Sequence, residues 1–228
     1  MREFEVVRLE RAEYSRALTF QQAVQDRLRA GQGRETLILL EHPPTLTLGR
    51  GAKREHVLVS EAQLQGQGVA LVETDRGGDV TYHGPGQLVG YPILHLQPGE
   101  QDVRRYVRRL EEVVVRTLRE FGITASGDVR RPGVWVEGSR LGGTRKIAAL
   151  GVHLSRWYTR HGFAINVEPN LAHFGLIVPC GIADAGVTSM AAELVTAPSV
   201  WAVADVVATH FASVFERVKV TAATQPVF

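Results

Sequence analysis

The order of strand-like and helix-like segments predicts an α+β fold, in which helices pack against one mixed sheet. Three segments typical of strands follow one another in the second half of the chain, at 129–137, 147–157 and 161–167. Apolar residues recur with helical spacing in three separate regions. Since strands and helices do not alternate strictly, a doubly wound parallel sheet is disfavoured.

The first half of the chain contains most of the other predicted strands. These strands are 3–9, 35–42, 45–48, 69–73 and 87–96. Segment 3–9 alternates in the manner of an edge strand, and segment 35–42 is an apolar run that ends before Pro43. Pro92 cannot donate a backbone hydrogen bond, so it places the last of these strands at an edge or a bulge.

Three helices are predicted. The first covers 14–28 and is expected to end near Gly31. The second and clearest begins after Asp102, a preferred N-cap residue, and stops at Gly122. The third is expected at 199–218, with its valines and one phenylalanine turned to the core.

The composition indicates one soluble domain that covers residues 1–228. Hydrophobic residues make up 44% and charged residues 22%, which is usual for a globular protein. A formal net charge of +2 is too small to indicate nucleic-acid binding. The sequence contains no long apolar run and no signal-like N-terminus, so it predicts a cytoplasmic protein without a membrane partner.

Cys180 is the only cysteine, which excludes an intramolecular disulfide and suits a reducing compartment. It lies in the turn Pro-Cys-Gly-Ile at 179–182, downstream of Lys146. Only a thiolate is a good nucleophile, so a catalytic cysteine needs a base or a cation nearby, and Lys146 is the candidate. An unpaired cysteine can also be a small buried apolar residue, but the surrounding motifs favour a chemical role.

The segment 76–90 is rich in glycine and is the second candidate for a site. It holds five glycines and a proline in fifteen residues, which permits close approach of the backbone to a ligand. The alternative is a pair of hairpin turns, for which the same residues are usual. Neither a phosphate-loop pattern nor the dinucleotide GxGxxG pattern is present in the segment.

The chain has eight histidines but no HExxH or CxxC motif, so no metal site is predicted. His153, His161 and His173 are expected to be structural. His83 is the exception, because it follows Tyr82 within the glycine-rich segment.

Four ordered motifs resemble those of bacterial octanoyltransferases of lipoate biosynthesis. They are RGGDVTYHGPGQ at 76–87, RKIAALGVH at 145–153, HGFAINV at 161–167 and PCGIADAGVTSM at 179–190. The resemblance begins with LLEHPPTLTLGR at 39–50 and covers most of the chain. It implies the fold of the biotin/lipoate protein ligase catalytic domain.

The same resemblance implies the roles of individual residues. Cys180 would form an acyl thioester, and Lys146 would lower the pKa of its thiol and move protons. The residues implied to bind the acyl group and its carbonyl are Arg76, Gly77, Gly78, Asp79, Val80, Thr81, Tyr82, His83, Ala149, Leu150, Gly151, Gly162, Phe163 and Ala164. Backbone amides at 149–151 are expected to hold the oxyanion.

The implied reaction moves an octanoyl group from acyl carrier protein to a lysine of a lipoyl domain. Such domains occur in 2-oxoacid dehydrogenases and in the glycine cleavage H protein. A thioester donor is already activated, so no ATP, metal or other cofactor is expected. Carrier proteins are acidic, and the arginines of the second helix could dock one. They are Arg104, Arg105, Arg108, Arg109, Arg116 and Arg119. The alternative is a solvated face partly paired with Glu111 and Glu112.

Three other functions remain open at this point. A lipoate or biotin ligase of the same fold would use ATP and would not need Cys180. A binding protein without activity would keep the pocket but would form no acyl-enzyme. A papain-type hydrolase would need a histidine base and an orienting residue, and no histidine in the sequence is marked for that role.

Overall fold

The structure, a computed structural model, describes residues 2–128, 131–178 and 186–220. The strands in chain order are β1 (Arg2–Arg11), β2 (Glu35–Glu41), β3 (Thr45–Leu48), β4 (Ala70–Glu73), β5 (Val80–His83), β6 (Gln87–Ile93), β7 (Ser126–Gly127), β8 (Val134–Val136), β9 (Arg145–Ser155), β10 (Tyr158–Asn166), β11 (Gly186–Val187) and β12 (Arg217–Val220). The helices are α1 (Tyr14–Arg29), α2 (Glu61–Gly66), α3 (Val103–Glu120), α4 (Met190–Glu193) and α5 (Val200–Phe215), and short 3-10 helices cover Arg54–His56 and Leu171–Leu176.

The described strands form two sheets. The large sheet has the order β12-β1-β2-β6-β10-β9-β8-β7, with β11 beside β9. Strand β1 is parallel to both of its neighbours, whereas β2, β6, β10, β9 and β8 pair antiparallel in turn. The small sheet has the order β4-β3-β5. A mixed sheet covered by helices confirms the predicted α+β fold.

The prediction that 3–9 is an edge strand is wrong, because β12 covers the outer side of β1. The C-terminal helix ends at Phe215, three residues earlier than predicted. Glu216 then adopts a left-handed backbone conformation with φ of 55°, which turns the chain out of the helix. The next residues, Arg217–Val220, alternate between charged and apolar side chains. They form β12, which adds a parallel strand to the edge of the sheet.

Pro92 lies in a central strand, since β6 has β2 on one side and β10 on the other. The predicted edge position is therefore wrong for the strand as a whole. Pro92 pairs with Leu37 of β2, but the register between β6 and β10 ends at Gly90. Proline has no backbone N–H to donate, and Pro92 lies beyond the last residue of β6 that pairs with β10, so no hydrogen bond between these two strands is lost. The Pro92 carbonyl accepts a hydrogen bond from Oγ1 of Thr159 at 2.7 Å.

Helices cover both faces of the large sheet. The continuous apolar run of β2 is buried on both sides: Leu37 and Leu39 face α3 and α5, and Ile38 and Leu40 face α1. Each of these side chains is fully buried, and burial of such a side chain contributes about 1.5–3 kcal/mol. None of the helices in the described parts of the chain has the length and hydropathy needed to span a bilayer.

The boundaries of α1 and α3 agree with the capping signals in the sequence. The Asp102 carboxylate accepts a hydrogen bond from the backbone N–H of Arg105 at 3.0 Å, as expected of an N-cap residue. Gly122 follows α3 with φ of 81°, and Gly31 follows α1 with φ of 69°. Glycine adopts such positive values without the strain that they cause in other residues, which is why it suits the end of a helix.

The predicted strands 147–157 and 161–167 are the two arms of one hairpin. Strand β9 ends at Ser155 and β10 begins at Tyr158, so the turn is formed by Arg156 and Trp157. Both turn residues have positive φ, 52° and 65°, without the glycine or asparagine that marks such turns in a sequence. Of the predicted strand 129–137, the described residues form a strand only at Val134–Val136.

The small sheet packs beside the large one and has its own apolar core. Leu46, Leu64, Val80 and Phe174 are buried in this core. The loop between β4 and β5 reaches the large sheet, where the N–H of Gly77 donates to the carbonyl of Val152 at 2.8 Å. This contact holds the glycine-rich segment over β9 and creates the cleft described next.

Candidate active site

A cleft lies between the small sheet and strands β9 and β10 of the large sheet. We call it the inner slot. Its lining includes Arg76, residues 78–81, His83, Lys146, residues 149–151 and residues 162–164. The structure therefore brings together residues from three of the four sequence motifs.

The hairpin register explains how two of these motifs meet. Ala149 pairs with Ala164, Leu150 with Phe163 and Gly151 with Gly162. Glycine is required at the last of these pairs, because a Cβ on Gly162 would lie 2.2 Å from the carbonyl oxygen of Gly90. The absence of side chains here lets the strands and the small sheet approach closely.

The loop that carries Arg76 is fixed by hydrogen bonds within the protein. The buried guanidinium of Arg76 donates to the carbonyl oxygen of Thr47 at 2.6 Å and to its Oγ1 at 2.8 Å. The N–H of Gly51 donates to the carbonyl of Gly78 at 3.0 Å. Because the N–H of Gly77 already binds Val152, this amide does not face a ligand.

Lys146 is the second residue of β9 and is 8% exposed. Its ammonium donates to the carbonyl oxygen of Pro132 at 3.4 Å and lies 4.6 Å from the ring centroid of Trp135. A carbonyl oxygen and an aromatic face both attract a cation. These contacts hold the ammonium group at the edge of the inner slot.

A second, more open groove shares Gly78, Asp79, Lys146, Leu150 and Gly151 with the inner slot. We call it the outer groove. It continues past Pro132 to the exposed N-terminal turns of α3, and its other lining residues are Gly51, Gly77, Val103, Val107, Arg131 and Val152. Lys146 thus stands where the inner slot meets the outer groove.

Cys180 lies outside the described residues. On one side of it, the N–H of Val178 donates to the carbonyl of His56 at 2.8 Å. On the other side, β11 pairs with β9, so that Gly186 is opposite Arg145 and Val187 is opposite Lys146. Among the described residues after Cys180, Gly186 and Val187 therefore lie beside Arg145 and Lys146.

Tyr82 is the predicted binding residue that the structure turns away from the inner slot. Its ring packs against Phe174 in the core of the small sheet, and its hydroxyl lies 2.7 Å from Nδ1 of His173. Adjacent side chains of a strand point to opposite faces, so His83 faces the slot when Tyr82 faces the core. Burial raises the pKa of Tyr82 to about 12.

Three slot residues were not singled out from the sequence as binding residues: Tyr14, Tyr91 and His161. Together with His42 and His83 they form a group of packed rings, which we call the ring wall. Ring centroids are 5.1 Å apart for Tyr14 and His42, 5.8 Å for Tyr14 and His83, and 6.2 Å for Tyr91 and His161. The helical spacing of Tyr14 indicated only core packing. The positive φ of His161, 56°, is not visible in a sequence.

The ring wall is uncharged near neutral pH. Burial lowers the pKa of His42 to about 4 and that of His161 to about 4, although Asp75 opposes the shift of His161. Burial also lowers the pKa of His83 well below its usual value. The same desolvation raises the pKa of Tyr14 and of Tyr91. All five rings are neutral groups that can border an apolar ligand.

An amide chain connects His83 to the strand that follows Cys180. Nδ1 of His83 lies 2.8 Å from Oε1 of Gln87, and the Gln87 amide donates to Oδ1 of Asn166 at 2.9 Å. The Asn166 amide donates to the carbonyl oxygen of Thr188 at 3.0 Å.

Within the described ranges, no group of three or more His, Cys, Asp or Glu residues is arranged to hold a metal ion.

The sequence is similar to a family of lipoyl protein ligases and to individual octanoyltransferases. Residues 13–212 match the family model described as "Lipoyl protein ligase A/B catalytic domain". An octanoyltransferase from Myxococcus xanthus is 53% identical over 217 residues, which are 95% of this chain and 61% of the relative. An octanoyltransferase from Chloroflexus aggregans is 48% identical over 95% of this chain and 96% of its own length.

Solved structures with low sequence identity share the fold. A lipoate-protein ligase A bound with ATP has a TM-score of 0.78 at 18% identity, over 97% of this chain and 90% of its own. A bi-partite lipoate protein ligase from Thermoplasma acidophilum has a TM-score of 0.76 at 19% identity, over 98% of this chain and 88% of its own. These likenesses support the predicted ligase-type fold.

Proposed function

This chain belongs to the lipoyl protein ligase A/B catalytic-domain family, and we propose that it is an octanoyltransferase that acylates a lysine of a lipoyl domain. The donor is octanoyl acyl carrier protein. The observation that carries the proposal is the position of Lys146, at the junction of the inner slot and the outer groove and beside the strand that follows Cys180. Relatives that are about half identical to the chain carry the name octanoyltransferase.

The first chemical step moves the acyl group to Cys180. The thiolate attacks the carbonyl carbon of the donor thioester, a new carbon–sulfur bond forms, and the bond to the phosphopantetheine sulfur breaks. Lys146 gives a proton to the departing sulfur. One thioester replaces another of similar energy, so this step needs no ATP and no metal.

The second step moves the acyl group to the acceptor lysine. Its amine attacks the Cys180 thioester, the carbon–nitrogen bond of an amide forms, and the cysteine sulfur leaves as a thiolate. Lys146, which has lost its proton in the first step, accepts the proton of the attacking amine. The ion pair of ammonium and thiolate is thereby restored.

The backbone around 149–151 supports a role in holding the oxyanion. Strand β9 pairs with β10 from Ala148 to Ser155, but its register with β8 begins at Ala148 and leads away from residues 149–151. Alternate N–H groups of a strand point to opposite sides. Amide groups on the side of β9 away from β10 are therefore directed towards the outer groove, where an oxyanion could accept their hydrogen bonds.

The inner slot suits an acyl chain. Leu150, Phe163 and Ala164 line it, and the rings beyond them carry no charge. Each methylene that enters such a slot contributes about 0.8 kcal/mol. An octanoyl chain therefore gains several kcal/mol when its carbonyl lies near Lys146 and its tail lies in the slot.

The outer groove suits the phosphopantetheine arm, and the surface where it begins suits a carrier protein. Arg104 and Arg108 are exposed there, beside the groove residues Val103 and Val107. Among the described residues, neither side chain forms a hydrogen bond or a close ion pair, although the charge of Arg108 acts on Glu111 and that of Arg104 on Asp102. An acidic partner docked on these two residues would direct its arm to Lys146.

Arg105, Arg109 and Arg116 have partners within the protein, as the alternative of a paired surface predicts. Arg116 donates to the carboxylate of Glu112 at 2.6 Å, and Arg105 donates to the carbonyl of Gly99 at 2.8 Å. Glu111 is buried rather than paired on the surface, and it accepts the N–H of Gly133 at 3.1 Å. Docking is therefore assigned to the N-terminal part of α3.

A transfer assay tests the proposal. The purified protein is incubated with an apo lipoyl domain and either octanoyl acyl carrier protein without ATP, or free octanoate with ATP. Intact-mass spectrometry of the lipoyl domain gives the readout. We expect an octanoyl adduct in the first mixture only. An adduct that forms only with free octanoate and ATP would contradict the proposal and indicate a ligase.

A further inference from the structure

The ring wall lines the inner slot at the end far from Lys146. Along the hairpin, Lys146 is followed by the pairs Ala149 with Ala164 and Gly151 with Gly162, and the next residue of β10 is His161. Tyr14, His83 and Tyr91 come from α1, β5 and β6 and line the slot at the same end. We infer that the ring wall measures the acyl chain, and that Tyr14 is the residue that stops its methyl end.

This inference rests on the proposed octanoyl transfer and adds the residues that set the chain length. A length limit requires a wall that does not yield. Hydrogen bonds connect the rings to each other and to the backbone: Tyr14 Oη lies 3.2 Å from Nδ1 of His161, and His42 Nε2 lies 2.7 Å from the hydroxyl of Tyr91. Nδ1 of His42 lies 2.6 Å from the carbonyl oxygen of Ala12.

His161 and His83 also form hydrogen bonds with residues that are not part of the ring wall. Nε2 of His161 lies 2.7 Å from the carboxylate of Asp75, and Nδ1 of His83 lies 2.8 Å from Gln87. A longer chain could enter only by moving a ring, and that would break buried hydrogen bonds. A shorter chain leaves empty space beside the rings and loses contacts with them.

Tyr14 is the ring best placed to be removed without dismantling the slot. It lies on the first turn of α1, whereas His83, Tyr91 and His161 belong to strands that build the sheets. Its phenol ring is 3% exposed and neighbours His42, His83 and His161. Truncation at this position should extend the slot by the volume of one ring.

The first test compares Tyr14→Ala with Tyr14→Phe. Octanoyl and decanoyl carrier proteins compete for one apo lipoyl domain, and mass spectrometry gives the ratio of products. Each buried methylene is worth about fourfold in an equilibrium constant, so two methylenes should raise the decanoyl-to-octanoyl ratio of Tyr14→Ala about tenfold or more. Tyr14→Phe keeps the ring and should keep the ratio of the unchanged protein. A ratio that stays the same in Tyr14→Ala would overturn the inference.

The second test needs no substitution, so it applies even if Tyr14→Ala does not fold. The unchanged protein is loaded from a carrier protein that bears an octanoyl chain with a diazirine at the carbon next to the methyl end. After irradiation, we expect cross-links on peptides that contain Tyr14, His83 or Tyr91. Cross-links on the peptide with Val103 and Val107 would place the tail in the outer groove and overturn the inference.

Different experimental results would contradict the proposed function and the role of the ring wall. If the unchanged protein does not transfer octanoyl groups from the carrier protein, the proposed function fails. If octanoyl transfer is present but Tyr14→Ala leaves the chain-length ratio unaltered, or the cross-links map to the outer groove, only the ring wall loses its role.

Discussion

The backbone N–H of Thr188 donates to the carbonyl oxygen of Lys146 at 2.9 Å. This hydrogen bond continues the pairing of β11 with β9 and fixes the strand that follows Cys180 against the strand that carries Lys146. Lys146 lies on β9, and the motif that contains Cys180 continues into the adjacent strand β11. The dyad of the proposed mechanism depends on this arrangement.

Replacement of Lys146 by alanine should slow acyl transfer strongly. General acid–base catalysis contributes about 10² to 10⁴ in rate, so single-turnover loading of the protein from octanoyl carrier protein should fall by at least about 100-fold. The readout is quenched-flow mass spectrometry. The thermal transition of the variant serves as the control for folding. Loading at the original rate in a folded variant would remove Lys146 from the mechanism.

Charge reversal at the start of α3 should weaken use of the carrier protein. Arg104→Glu combined with Arg108→Glu should raise KM for octanoyl carrier protein, while kinetics with a small octanoyl thioester change little. Arg119→Glu is the matched control, because Arg119 is exposed on the same helix about 22 Å from Arg104 at 1.5 Å per residue. Equal effects on both donors, or an equal effect of the control, would contradict docking at this end of the helix.

Gly162→Ala should destabilise the protein. The added Cβ would lie 2.2 Å from the carbonyl oxygen of Gly90, which is backbone and cannot rotate away. Strain of this kind costs about 1–3 kcal/mol, measurable as a lower urea midpoint. Gly66→Ala is the control, because nothing lies within 4 Å of its added Cβ and the site is in helix α2. A midpoint for Gly162→Ala equal to that of the control would contradict the close approach of β6 and β10 at this position.

The buried histidines should make stability depend on pH. The pKa of His42 is about 4 in the folded protein and ordinarily 6.5, so the unfolded chain binds more protons between these values. The stabilising contribution is complete above about pH 6.5 and is lost as the pH falls towards 4. It amounts to about 3 kcal/mol for one such group. Burial gives His161 a shift in the same direction.

Urea unfolding at a series of pH values between 7.5 and 4.5 measures this dependence. The unfolding free energy should decrease with falling pH, and His42→Asn should show a shallower slope because one titrating group is gone. Glu111 acts in the opposite direction, since burial raises the pKa of its carboxyl group. An unfolding free energy that stays constant down to pH 4.5 would contradict the neutral, desolvated state of the ring wall.

Much of the fold could be predicted from local signals. The continuous apolar run at 35–42 became a strand buried on both faces, and Asp102 and Gly122 marked the ends of α3. Errors arose where neighbours in space decided the structure. Strand β12 could not be foreseen, because Val218 also fits the helical spacing of the preceding residues. Pro92 was misjudged because its tolerance depends on where the pairing with β10 ends.

The candidate site was predictable to the extent that it lies in contiguous motifs. The glycine-rich loop and the segments around Lys146 and Phe163 meet through strand register. The ring wall was not predictable, because its residues come from different elements and no spacing connects Tyr14 with His161. Tyr82 was included by its place in a motif, but the alternation of β5 turns its ring to the core.

The most direct test of the proposed mechanism is to trap the acyl-enzyme. The protein is mixed with octanoyl carrier protein without ATP, quenched in acid and digested, and the peptides are identified by mass spectrometry. We predict an octanoyl thioester on the Cys180 peptide that disappears when an apo lipoyl domain is added and that is absent in Cys180→Ala. Transfer to the lipoyl domain that proceeds undiminished in Cys180→Ala would contradict the mechanism.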